Sequence, residues 1–172
     1  MRSNVQPLTI RQKLWGLGPW ALGSLALDLA TKAIVLREFD LLEVRPVTWF
    51  FNLVLVENQG AAFSLLSGQG AYQGLKMALL AVLAMVPLAY FFVDAKCKAS
   101  LLGLGLILGG ALGNIHDRLR YNAVVDFLDF HFRDSHWPAF NLADVSIVVG
   151  VGVLIWVSLR SDRGQKKTAK GG

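Results

Sequence analysis

The sequence predicts a mainly α-helical membrane protein with four transmembrane helices and short strands outside the bilayer. Three observations carry that prediction. First, 54% of the 172 residues are hydrophobic and only 17% are charged, whereas soluble domains are nearer a quarter charged. Second, the apolar residues gather into four runs near the roughly 20 residues that cross a hydrocarbon core. Third, the basic residues are concentrated in the chain ends and one short loop, as the positive-inside rule requires of cytoplasmic segments.

The four spans are expected at 14–36, 75–93, 99–116 and 142–159. Arg2, Arg11 and Lys13 precede the first. Lys96 and Lys98 occupy the short loop between the second and third. Arg160, Arg163, Lys166, Lys167 and Lys170 follow the fourth. The longer loops, 37–74 and 117–140, hold only Arg37, Arg45, Arg118, Arg120 and Arg133. Both termini are therefore expected in the cytoplasm and both long loops outside. Residues 1–163 form one expected domain, followed by a flexible cytoplasmic tail over 164–172. A basic start before an apolar run also fits a cleaved leader. The first run is long for a leader core and contains Asp28 and Lys32, so it is taken as a retained span.

The net charge of +5 does not point to nucleic acid, because the basic residues follow the topology and suit anionic headgroups. A single cysteine, Cys97, excludes an internal disulfide and a thiolate-rich metal site. In the outer loops, residues 47–56 are β-branched and aromatic and predict a strand, partnered near 41–47. Pro46 suits an edge or strand start. Asn58-Gln59-Gly60 predicts a turn, residues 61–66 a surface segment, and 124–132 a second strand.

The unusual polar residues gather at one depth. Asp28 and Lys32 are an i,i+4 pair in the first span, read structurally as a partly buried ion pair with Lys32 snorkelling outward. The third span ends on Asn114, Asp117 and Arg118, and the fourth begins at Asn141 and Asp144. Asn114 suits interhelical glue or a functional role. Asn141 suits a helix cap or a binding role. Asp144 alone is favoured by a first-turn dipole, and Asp117 with Arg118 suits an interfacial salt bridge or site shaping. Gly103, Gly105, Gly109, Gly110 and Gly113 suit close helix contact.

A carboxylate beside hydrocarbon is costly, so it is usually paired, protonated or functional. Asp126 and Asp144 both flank apolar spans on the outer side. Two aspartates sharing a proton can hydrolyse an amide with neither metal nor nucleophilic side chain. Strand alternation sends Asp126 and Asp129 to opposite faces, so at most one of them meets Asp144. The pattern leaves open which. His116, His131 and His136 lack a helical metal-binding spacing. Ser64, Ser67 and Cys97 lack a convincing base. The rival class is a non-enzymatic small transporter or assembly factor using its acids as an ion relay. A relay predicts carboxylates at several depths, whereas these cluster at one end.

Five motifs occur in order: Asp-x-x-x-Lys at 28–32, Asn-x-Gly-Ala-Ala-Phe at 58–63, Gly-Gly-Ala-Leu-Gly-Asn-x-x-Asp-Arg at 109–118, Val-Val-Asp-Phe at 124–127 and Phe-Asn-Leu-Ala-Asp at 140–144. In these the chain resembles the bacterial lipoprotein signal peptidases (type II signal peptidases), aspartyl peptidases of the inner membrane. The resemblance implies a four-helix membrane bundle with a periplasmic β-cradle and a periplasmic amphipathic helix over the 61–74 region. It implies cleavage of diacylglyceryl prolipoproteins just before the lipidated cysteine, at the periplasmic face. It makes Asp126 and Asp144 the catalytic pair and so chooses Asp126 over Asp129. Asn58, Gly60, Asn114, Arg118 and Asn141 become site residues, with Asp117 supporting. No cofactor or metal is implied. Membrane lipids and globomycin-type inhibitors are the other expected partners, and a monomer is the expected form.

Overall fold

The computed structural model describes residues 7–60, 72–95 and 97–169. Five helices and four strands follow one another as α1 (Ile10–Glu38), β1 (Val44–Thr48), β2 (Phe51–Asn58), α2 (Gln73–Ala84), α3 (Val86–Asp94), α4 (Lys98–Tyr121), β3 (Val124–Phe132), β4 (Ser135–His136) and α5 (Leu142–Ala169). Among the described residues, four helical stretches are long and apolar enough to cross a membrane: Ile10–Glu38, Gly74–Asp94, Lys98–Tyr121 and Leu142–Arg160.

The second span breaks in two, which the apolar run did not predict. Pro87 sits in the first turn of α3 and has no N–H for the preceding turn. The chain compensates with tighter bonds at the break, Met85 N–H to Val82 O at 3.0 Å and Leu88 N–H to Met85 O at 2.9 Å.

α4 is the central helix and touches α1, α2, α3 and α5. Its glycines make that possible. A Cβ at Gly105 would meet the Leu17 carbonyl and Trp20 of α1, and one at Gly110 would meet the Ala143 carbonyl of α5. Gly103 and Gly150 face each other across α4 and α5 in the same way. The helix axes thus approach more closely than larger side chains permit, as small residues allow in membranes. At the end away from the sheet, Lys13 is buried. It donates to the Phe92 carbonyl at 3.2 Å and also to the Val93 carbonyl. A cation on the last carbonyls of α3 complements that helix terminus.

The strands form one antiparallel sheet in the order β1-β2-β3-β4. The strand expected over 47–56 does pair with a partner near 41–47, but it starts later, at Phe51, and residues 47 and 48 belong to the partner. A turn at Trp49 and Phe50 separates β1 from β2, and Val44 pairs with Val54. Pro46 lies on the free edge, where its missing N–H costs no ladder bond. Val35, Leu55, Val125 and Phe127 form the core joining sheet to helices. The surface helix expected over 61–74 falls mostly on residues 61–71, outside the described residues.

Candidate active site

Asp126 and Asp144 arrive from different elements and meet the same asparagines. Asp126 lies on β3. Asp144 lies in the first turn of α5. Asn141 immediately precedes α5 and caps it. Its Oδ1 accepts the Asp144 N–H at 3.0 Å, and its own N–H approaches Asp144 Oδ2 at 3.4 Å. This reciprocal arrangement is a capping box with aspartate at its third position. The cap leaves its Nδ2 free to donate to Asp126 Oδ1 at 2.7 Å.

Three amides are each turned toward the carboxylates by a donor that has no other option. An N–H or an ammonium can only donate, so the amide must present its oxygen there and its NH2 elsewhere. Gly60, at φ 90°, donates its N–H to Asn58 Oδ1 at 2.9 Å. Asn58 Nδ2 then donates to Asp126 Oδ2 at 2.9 Å. The Asp144 N–H orients Asn141. Lys32 Nζ donates to Asn114 Oδ1 at 3.2 Å, which directs Asn114 Nδ2 onto Asp144 Oδ1 at 2.8 Å. Asn141 Nδ2 also lies 3.2 Å from Asn114 Oδ1. The two carboxylates are thereby linked through Asn141 and Asn114.

Lys32 does not snorkel. It is only 2% exposed and lies 2.8 Å from Asp28 Oδ2 and 2.7 Å from Asp117 Oδ2. Tying two anions and one amide oxygen at this point offsets the loss of its water. Each anion also binds a neighbouring element. Asp28 Oδ1 accepts the Ala143 N–H at the start of α5 at 2.9 Å, and Asp117 Oδ2 accepts the Val125 N–H at 3.1 Å. Gly113 leaves room for Asp28, since a Cβ there would meet its carboxylate. The sequence marked Asp28 and Lys32 as a pair. It did not show that Asp117 completes a buried trio or that Lys32 reaches the site through Asn114. The i,i+4 spacing was the only local signal, and the remaining partners come from distant helices.

Asp126 is 2% exposed. Burial pushes its carboxyl up from 3.8 to about 6, the Asn58 bond opposes this, and the nearby Asp144 charge adds to it. Arg118 donates to the Asn114 carbonyl at 3.3 Å. With Asn114 it forms the polar end of an otherwise apolar cavity of about 560 Å³ between α2, α3, α4 and α5. Among the described residues, no three His, Cys, Asp or Glu side chains converge as a metal would need. Asp129 lies apart from the cluster and bonds to Asn52 and His136.

Fold and site together define a multi-pass membrane protein with an amide-lined carboxylate pair, Asp126 buried and Asp144 half-buried, at one end of its helices. The sequence pattern of the family described as Signal peptidase (SPase) II matches residues 20–160. A lipoprotein signal peptidase of Ralstonia nicotianae is 48% identical over 152 residues, covering 86% of this chain and 88% of that one. Another, from Paraburkholderia phytofirmans, is 46% identical over 154 residues, covering 87% and 90%. A solved structure described as a bacterial membrane enzyme, at 2.3 Å resolution, superposes with a TM-score of 0.73 at 27% identity and covers 94% of each chain. The chain belongs to the signal peptidase II family.

Proposed function

We propose that Asp126 and Asp144 are the catalytic pair with which this enzyme removes signal peptides from prolipoproteins. The observation that carries the assignment is the convergence of three oriented amides on these two carboxylates. Asp126 holds the shared proton in the resting pair, favoured by its burial. Asp144 takes a proton from water as the oxygen attacks the scissile carbonyl. Asp126 gives its proton to the carbonyl oxygen, yielding a neutral tetrahedral diol. Asp144 then protonates the departing amine while Asp126 recovers a proton from the diol, and the C–N bond breaks. Asn58, Asn114 and Asn141 hold the carboxylates in register through the cycle, and Arg118 shapes the mouth of the apolar cavity.

The basic residues at the ends support a topology with both termini in the cytoplasm and the site at the periplasmic face. There a signal helix meets the water boundary, and the bond before a diacylglyceryl cysteine comes within reach. The cavity offers apolar walls for that helix or its acyl chains, and a globomycin-type inhibitor would occupy the same space. A monomer is the form proposed to act, with one chain supplying both carboxylates and the three amides on them. The test is a gel-shift assay of purified Asp126→Asn and Asp144→Asn on a diacylglyceryl prolipoprotein. Both variants are expected to leave the precursor uncut while eluting as folded protein. Substantial cleavage by either would remove it from the catalytic pair.

A further inference from the structure

The end of the bundle away from the aspartates carries a cavity that the reaction does not use. It is a furrow of about 610 Å³ between the starts of α1 and α4, within the size range of small-molecule sites. Gly105, Gly109 and Gly113 of α4 lie against Leu17, Ala21 and Asp28 of α1 in turn, so the two helices run parallel and both begin at this end. Their residues therefore fall in a fixed order along the furrow. Gln12 and Lys98 lie at its mouth, Trp15, Gly16 and Ala99 follow, and Trp20 and Leu102 lie deepest. Gln12 to Trp20 is eight residues, about 12 Å of helical rise. One leaflet of a hydrocarbon core is about 15 Å deep. The furrow thus has a polar mouth, an apolar body and close to the depth of one leaflet, which is the outline of a single lipid molecule.

Both groups at the mouth are open to a ligand. Gln12 closes a capping box with Thr9, its Oε1 accepting the Thr9 N–H at 2.9 Å and the Thr9 hydroxyl at 3.1 Å. With the oxygen taken, the amide offers its NH2 as a donor. Lys98 is exposed and forms no ion pair among the described residues. Lys13, the buried cation at this end, is already committed to the Phe92 and Val93 carbonyls. No acid lines the furrow, and Asp94 of the same loop is not among its lining residues. Arg11 and Lys96 add positive charge close by in the sequence. Such a donor set is complementary to a phosphate-bearing anion. The body suits hydrocarbon. A Cβ at Gly16 would lie 2.6 Å from Leu101 Cδ1, so the helices close together there, while Trp15, 72% exposed, and Trp20 flank the opening. Indole rings favour the headgroup–acyl boundary.

We propose that the furrow between the starts of α1 and α4 is a binding site for one phospholipid with an anionic headgroup. Its phosphate meets Lys98 and Gln12, and one acyl chain runs along Trp15, Gly16 and Trp20. The occupant is a lipid rather than a second copy of the chain. A symmetric contact between two copies through this furrow would bring two Lys98 ammonium groups together, with no acid among the lining residues to separate them. Under the topology proposed above, the lipid belongs to the cytoplasmic leaflet, on the opposite side from the aspartates. The site stands on the packing of α1 and α4 and is independent of the chemistry assigned to Asp126 and Asp144.

The test is native mass spectrometry of the full chain in a nonionic detergent, titrated with phosphatidylglycerol or with phosphatidylcholine of the same acyl chains. The wild type is expected to retain one phosphatidylglycerol at a several-fold lower lipid concentration than phosphatidylcholine. Lys98→Gln should lose that preference. Ala99→Phe, which fills the body of the furrow, should lose retention of both lipids at that concentration. Arg160→Gln removes a cation from the same end of the bundle that lies instead 4.1 Å over the Trp156 ring, and should keep the wild-type preference. Equal retention of the two lipids by the wild type would overturn the proposal, as would equal losses in Arg160→Gln and Lys98→Gln. A dimer that Ala99→Phe dissociates would put a second copy in the furrow and overturn it as well. Leu102→Phe takes the place of Ala99→Phe should that variant fail to elute as folded protein.

Discussion

Asp126 and Asp129 differ in little that a sequence displays. They lie three residues apart on β3, and each receives a hydrogen bond from an asparagine of β2, Asn58 in one case and Asn52 in the other. Their surroundings separate them. Asp126 faces the helix ends, where burial raises its carboxyl to about 6 and Asp144 adds a second negative charge. Asp129 faces the outer part of the sheet. Burial raises it too, but the bonds from Asn52 and His136 outweigh that and hold it below the ordinary carboxylate value. His136 Nδ1 lies 2.9 and 3.0 Å from its two oxygens. An asparagine partner alone therefore does not decide which way a carboxyl is shifted. A second carboxylate in a dry setting favours a held proton, while a nearby histidine favours an ionised acid and a structural role.

The comparison can be broken most forcefully at Lys32. Lys32→Met leaves Asp28 and Asp117 buried and facing each other, and should cost about 3–5 kcal/mol of stability, read by thermal or denaturant unfolding in detergent. It also frees the Asn114 amide to turn, so processing should fall even at temperatures where the protein stays folded. Unchanged stability would mean that the trio does not hold the ends of α1, α4 and α5 together.

A second effect follows from the raised carboxyl of Asp126. Its folded value lies above the unfolded one, so the native state binds more protons between 3.8 and about 6. The stability penalty is absent below 3.8, grows through that window and is complete above about 6. A shift of this size corresponds to up to about 3 kcal/mol. The melting temperature of the wild type should fall more steeply over this range than that of Asp126→Asn. Parallel profiles would show that the carboxyl is not raised.

Asn58→Ala removes one donor from Asp126 at an exposed position. A hydrogen bond to a charged group is worth about 1.5–3 kcal/mol, so cleavage should slow roughly tenfold to a hundredfold with little change in melting temperature. Full activity would release Asn58 from the site. Asn52→Ala, on the Asp129 side, should instead leave cleavage within about twofold while costing about 1 kcal/mol of stability.

Much of this was legible in the chain. Four spans follow from apolar run length, and the clustering of Asn114, Asp117, Asn141 and Asp144 at one depth follows from counting along helices. Alternation on a strand separated Asp126 from Asp129, although family resemblance was needed to choose between them. Trp49 and Phe50 were read into the strand because a tight aromatic turn has the composition of one, so the expected partner near 41–47 formed but the turn between the two was misplaced. Pro87 carries the signal for the break in the second span, which apolar run length does not read. The Lys32 trio was hidden because Asp117 is 85 residues away in sequence and the network forms only when α1 and α4 close over their glycines.

The central proposal is that its setting, not its sequence neighbourhood, assigns the catalytic role to Asp126 rather than Asp129. The most direct measurement is single-turnover cleavage of a diacylglyceryl prolipoprotein by Asp126→Asn and Asp129→Asn, purified side by side. The account predicts no detectable product from Asp126→Asn and a rate within about twofold of wild type from Asp129→Asn, since only a group in the reacting pair should cost several decades in rate. Cleavage by Asp126→Asn at more than about a tenth of the wild-type rate, or loss of cleavage in a folded Asp129→Asn, would contradict it.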